Sequence, residues 1–196
     1  MREATLSPGV QLQDPEQLAG LQERIVAVES GVFLACQLSS LLPYLSSSLG
    51  PDTAVDTFYS STVAAAQDLR EPVYLAAVAA SLDTSAIVAK MAKVAWDLRE
   101  VSTQHSPYVE LWLQQLSTFS RRLTKLAALV TVPPDLATVL WTQVVRVVTS
   151  GFVEGFASAK RCTNEGRALM QLDFRQFVIQ VSSLHLRSSS FLRQRS

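Results

Sequence analysis

Charge is scarce in this sequence, and so are glycine, cysteine and histidine. Charged residues make up 17% of the 196 positions, against about 25% in an ordinary globular chain, so an unusual share of the surface is available for burial. Lysine plus arginine and aspartate plus glutamate stand at 17 each. No global field therefore draws the chain to nucleic acid or to anionic lipid. Two cysteines, Cys36 and Cys162, lie far apart with no C-x-x-C pair, which excludes a disulfide framework and a zinc site of ordinary spacing and predicts reduced, buried thiols. Seven glycines and eight prolines leave little turn chemistry for a β-rich fold. No run of about 18 to 20 uninterrupted apolar residues is present; the best stretches, Val73 to Leu82 and Leu126 to Val132, are short and flanked by charges or prolines. No membrane span is expected on that criterion. The N-terminus carries Glu3 and lacks an apolar core, so it does not read as a secretory signal, and the cytosol is the default expectation.

What is present is a series of helices. Hydrophobic residues reach 48%, and prolines fall where helices begin or break. Asp14-Pro15-Glu16-Gln17 supplies an N-cap, a first-turn proline and a capping-box partner for a helix running to Leu42, before Pro43. Pro51-Asp52 starts a second helix, which Pro72 should bend or break near Arg70-Glu71. The apolar continuation Val73 to Leu82 predicts a segment sandwiched between neighbours. Asp83-Thr84 caps a third helix, to about Glu100.

Ser106-Pro107 opens another helix, whose residues Tyr108, Leu111, Trp112, Leu116, Phe119, Leu123 and Leu126 step by threes and fours along one face. Val130-Thr131-Val132-Pro133-Pro134 ends it, and Asp135 to about Lys160 forms the next. After a turn at Cys162-Thr163-Asn164, a last helix presents Met170, Phe174, Phe177, Val181 and Leu184 as a heptad-like seam. The periodicity fades after Leu184. The expected fold is all-α, an antiparallel bundle or rod of about six helices over residues 14–184, between disordered segments at 1–13 and 185–196.

A search for chemistry finds little. His105 and His185 are the only histidines. His105 has serines around it but no nucleophile elbow or oxyanion loop, so it reads as a solvated loop residue. Phosphate-binding glycine motifs are absent, and Gly151 and Gly155 read as a close-packing G-x-x-x-G pair. Trp96, Trp112 and Trp141 read as core. No catalytic, cofactor or metal residue is assigned. From Gly155 onward seven bases face two acids, and Lys160, Arg161, Arg167 and Arg175 form a candidate partner surface.

The run FVEGFASAKRCTNEGRALMQLDFRQF, residues 152–177, resembles the C-terminal domain of the syndetin family. So do MAKVAWDLRE at 91–100, QHSPYV at 104–109 and Val139-Leu140-Trp141, in the same order. The likeness is clear over residues 85–178 and looser before them. It implies a helical rod of a multisubunit vesicle tether, the endosome-associated recycling complex, with three subunits shared with the Golgi-associated retrograde complex. It further implies endocytic recycling of receptors to the plasma membrane, endosomal retrograde transport, peripheral association with recycling endosomes or the trans-Golgi network, and no enzyme and no nucleic acid. The family's N-terminal coiled-coil region has no counterpart here, and its C-terminal domain continues past the position of Phe177, so a truncated or spliced form is expected, with the seam partly uncovered and prone to self-association. Alternatives are a peripheral membrane or SNARE-binding module using the basic residues, and a carrier with a lipid or small-ligand pocket between helices.

Overall fold

In the computed structural model, residues 18–50, 52–128 and 135–193 are described, apart from the side chains of Gln67 and of 184–193. The expected cap at Asp14, the Val130–Pro134 linker and the Leu184 side chain lie outside that set. The described chain is all-α, without a strand. Its helices are α1 Leu21–Leu49, α2 Thr53–Thr57, a π-helical stretch Phe58–Val63, α3 Ala64–Gln67, α4 Arg70–Ser81, α5 Thr84–Met91, α6 Pro107–Leu126, α7 Leu136–Ala157 and α8 Asn164–Arg193.

The caps form where the side chains dictate. Asp52 accepts from the Ala54 N–H at 2.8 Å, and Asp83 from the Ala86 N–H at 3.1 Å, each satisfying an otherwise orphaned donor. Ser106 is the N-cap of α6 with Pro107 in the first turn. The break expected near Arg70 falls at Asp68-Leu69, and Pro72 sits in the first turn of α4, where no helical N–H is needed.

Several expectations are corrected. Pro43 does not end α1, which continues to Leu49; Pro43 is exposed, so its ring and its missing hydrogen bond face water. α5 stops at Met91 rather than Glu100. α4 packs against both α1 and α7 but is not enclosed: Tyr74, Ala77, Val78 and Ser81 are buried, while Ala76, Ala79 and Ala80 face out. α8 does not fade at Leu184 but continues to Arg193. Cys36 is exposed and Cys162 partly buried, both free thiols.

The core lies where α7 is wrapped by α4, α5 and α8, with α6 against α8. Phe152 of α7 is its aromatic centre. Its ring stacks on Trp112 at 5.9 Å between centroids and meets Phe177 at 4.9 Å, Phe174 at 5.4 Å and Phe156 at 5.6 Å. The glycine pair has a packing role. A Cβ on Gly151 would stand 2.8 Å from the Trp112 ring, and one on Gly155 would stand 2.5 Å from Met91.

Two helices, Leu21–Leu49 and Leu136–Ala157, are nonetheless long and apolar enough to cross a membrane by length and composition. Polar residues such as Gln37 and Ser39 interrupt the apolar run without lowering its average below that of a span, which a search for unbroken runs overlooks. Half of the apolar stretch of α7 is buried inside the fold, but only 17% of that of α1 is.

Candidate interaction surfaces and the clamp that positions them

The connection between α5 and α6, residues 92–106, is not helical, yet it is fixed at both ends to the start of α8. At one end Trp96 is buried, and its carbonyl accepts the Thr163 N–H at 3.1 Å. The Thr163 hydroxyl donates to the Leu98 carbonyl at 2.9 Å and accepts the Gly166 N–H at 3.2 Å, so one side chain caps α8 and ties it to the connection. Gly166 is there because nothing larger fits: a Cβ would come 1.9 Å from the Trp96 carbonyl oxygen.

At the other end Asp173 is fully buried. It accepts the Ser106 N–H at 2.7 Å and the Tyr108 hydroxyl at 2.5 Å. A buried carboxylate is tolerated only with such partners. Burial, reinforced by the bond to Asp173, pushes the Tyr108 phenol well above its ordinary range. Sequence reading missed Asp173, because its partners lie 65 and 67 positions away.

A second network ties α1 to the body. Arg70 donates to both Glu29 oxygens and, at 2.7 Å, to Asp135 at the start of α7. Tyr74 donates to Glu29 at 2.7 Å. The hydrogen bond to Glu29 raises the Arg70 pKa, and burial, with that same carboxylate, raises that of Tyr74.

The clamp sets α8 at the angle that builds an apolar groove of about 200 Å³. Leu116 of α6, Trp141, Val144 and Val148 of α7, and Phe174, Phe177 and Val181 of α8 line it. Most of the sequence-predicted seam is therefore brought together, but as the wall of an internal groove rather than an open strip. Phe177 is buried, Met170 and Val181 are half-buried, and Phe174 keeps 39% of its surface. Among the described seam residues Phe177 is covered by this chain's own α6 and α7, while Phe174 keeps an exposed edge.

Lys160 and Arg161 lie on the α7–α8 connection, and Arg167 and Arg175 on α8; all four are exposed and none makes an ion pair among the described residues. His105, partly buried, stands 3.5 Å from Glu110. Among the described residues no group of three or more His, Cys, Asp or Glu is placed to hold a metal.

Comparison with known proteins places these features in a family. A family model described as syndetin, C-terminal, matches residues 18–192. Syndetin of Gallus gallus is 41% identical over 181 residues, 91% of this chain and 19% of that protein. Syndetins of Rattus norvegicus and Mus musculus are each 38% identical over 175 residues, 88% of this chain and 18% of theirs. The chain thus spans about a fifth of the length of these curated relatives. No solved structure matches it.

Proposed function

The chain belongs to the syndetin C-terminal family, and from that premise we propose that it is the helical interaction region of a non-catalytic vesicle-tethering subunit, acting in endocytic recycling and endosomal retrograde transport. Its partners are the three subunits shared by the Golgi-associated retrograde and endosome-associated recycling complexes, with SNAREs as further contacts, and it works at the surface of recycling endosomes. The match over residues 18–192 carries this reading. It includes the clamp residues Trp96, Ser106, Tyr108, Thr163, Gly166 and Asp173, whose contacts serve to set one helix against others. Co-immunoprecipitation of the tagged chain from cells tests it. Recovery of the three shared subunits is expected. Their absence, with the chain folded and expressed, refutes the proposal for this chain.

A second reading, direct membrane association, is favoured by the four exposed cations Lys160, Arg161, Arg167 and Arg175. Attraction of exposed cations to anionic lipid is screened over about 10 Å at 0.1 M salt. Co-sedimentation with anionic vesicles that is lost at high salt supports it, and binding indifferent to salt and lipid charge removes it.

A further inference from the structure

Beyond the base held by Glu29 and Arg70, α1 and the α2–α3 run form an arm that barely touches the body: among the described residues from 32 to 66 only Ala35 and Val63 are buried. The arm is nearly free of charge. No residue from Gly31 to Leu49 is ionisable except Cys36 and Tyr44, and no lysine or arginine occurs from Ile25 to Leu69. Its outer surface is nevertheless rich in large apolar side chains, with Tyr44 72% exposed, Phe33 66%, Leu49 61%, Leu34 58% and Leu41 48%.

These residues are ordered. The buried positions of α1, Leu21, Ile25, Val28 and Ala35, lie on one side. On the opposite side Val26, Ser30, Phe33, Gln37, Leu41, Tyr44 and Ser48, all exposed, succeed one another at steps of four, three, four, four, three and four. That spacing forms one continuous stripe on a helix. The stripe is also symmetric about its middle member. Reversed end for end around Gln37, it sets Phe33 against Leu41, the small Ser30 against the large Tyr44, and Val26 against Ser48.

We propose that α1 pairs with α1 of a second copy of this chain, antiparallel, with Gln37 on the two-fold axis. Isologous contacts need a self-complementary surface, and large against small across the axis supplies one. The two Gln37 amides, each both donor and acceptor, hydrogen-bond across the axis and fix register, as a lone polar residue in an apolar helix seam does. The charge-free stripe opposes no like charges. Each copy contributes on the order of 600 Å², so the pair buries on the order of 1,200 Å², the lower bound of a stable specific interface. A lipid surface is the weaker occupant. Membrane-surface helices flank their apolar face with lysine and arginine, whereas the arm offers only the acids Asp52 and Asp56 at its tip.

Sedimentation equilibrium of the purified chain over a concentration series is the primary test, with a monomer–dimer equilibrium expected in the micromolar range. Because Phe33 and Leu41 are exposed, the double variant Phe33→Glu, Leu41→Glu should keep its helicity and melting temperature while its dissociation constant rises about 100-fold or more. Register is tested by oxidative cross-linking after Cys36→Ser and Cys162→Ser. Gln37→Cys should then give covalent dimers, and Phe33→Cys alone should not. A chain that stays monomeric, a dimer indifferent to the double variant, or a monomer that instead co-sediments with neutral phosphatidylcholine vesicles overturns the proposal.

Discussion

Asp173→Ala removes the carboxylate to which both Ser106 and Tyr108 donate. Each hydrogen bond to a charged group is worth about 1.5 to 3 kcal/mol, and each buried donor left without an acceptor costs about 1 to 3 kcal/mol. The opposing term is real, since the variant no longer keeps a charge out of water. Removing one member of a buried charged contact nonetheless destabilises by about 3 to 5 kcal/mol. For a chain of this size that corresponds to a melting temperature lower by roughly 6 to 20 °C. Asp173→Asn keeps the volume and one acceptor oxygen for the Ser106 N–H, while its amide donates to the Tyr108 oxygen, so a loss of about 1 to 2 kcal/mol is expected. Urea unfolding followed by tryptophan fluorescence, which reports on the nearby Trp96, measures each variant. With Tyr108→Phe the two substitutions should be non-additive by at least about 1 kcal/mol. An Asp173→Ala variant within about 1 kcal/mol of the parent, or strict additivity with Tyr108→Phe, would show that the clamp does not hold α8 as described.

Gly166→Ala should destabilise by about 1 to 3 kcal/mol although alanine is the better helix former, because the carbonyl 1.9 Å from the new Cβ is backbone and cannot rotate away; a stabilised variant in thermal unfolding would refute the close approach. Phe177→Asp loses about 1.5 to 3 kcal/mol of burial and adds an unpaired buried carboxylate, so α8 should detach, and unchanged helicity and melting would show that Phe177 is not core. Tyr74 and Tyr108 hold their protons in the fold above their ordinary value of 10.0, whereas the unfolded chain releases them there. Stability from these groups is complete below about pH 10 and falls as pH rises beyond it, by up to about 1.4 kcal/mol per pH unit for each. Tyr108→Phe should make that alkaline slope shallower; an identical slope in urea unfolding from pH 9 to 11 refutes the assignment.

Signals confined to a few neighbouring residues were legible in the sequence. Asp52, Asp83 and Ser106-Pro107 mark helix starts because a cap needs only its own next turn. The α6 stripe is buried as its spacing indicates, with only Leu111 partly exposed. Decisions made by distant partners were not legible. The chain after Met91 has no helix-breaking residue before Pro107, yet it leaves the helix where the Trp96 and Leu98 carbonyls turn to Thr163. Pro43 carries a local stop signal that exposure overrides. The seam from Met170 to Val181 could be read as a stripe, but the walls it meets on α6 and α7 could not. Nor could the outward stripe of α1 be separated from core by pattern, since both are apolar at helical spacing.

The clamp also has a consequence in time. Trp96 and Leu98 bond to Thr163, and Ser106 and Tyr108 to Asp173, across 65 to 67 positions. At about 5 to 20 residues per second of synthesis, the α5–α6 connection waits roughly 3 to 13 s outside the ribosome before its partner emerges. Throughout that interval the indole of Trp96 and the hydroxyl of Tyr108 are without α8. Loop closure over such a span precedes any reward from the contacts it brings together. Docking of α8 on that connection therefore waits on synthesis, and until it happens the nascent chain is open to chaperones or to a wrong neighbour.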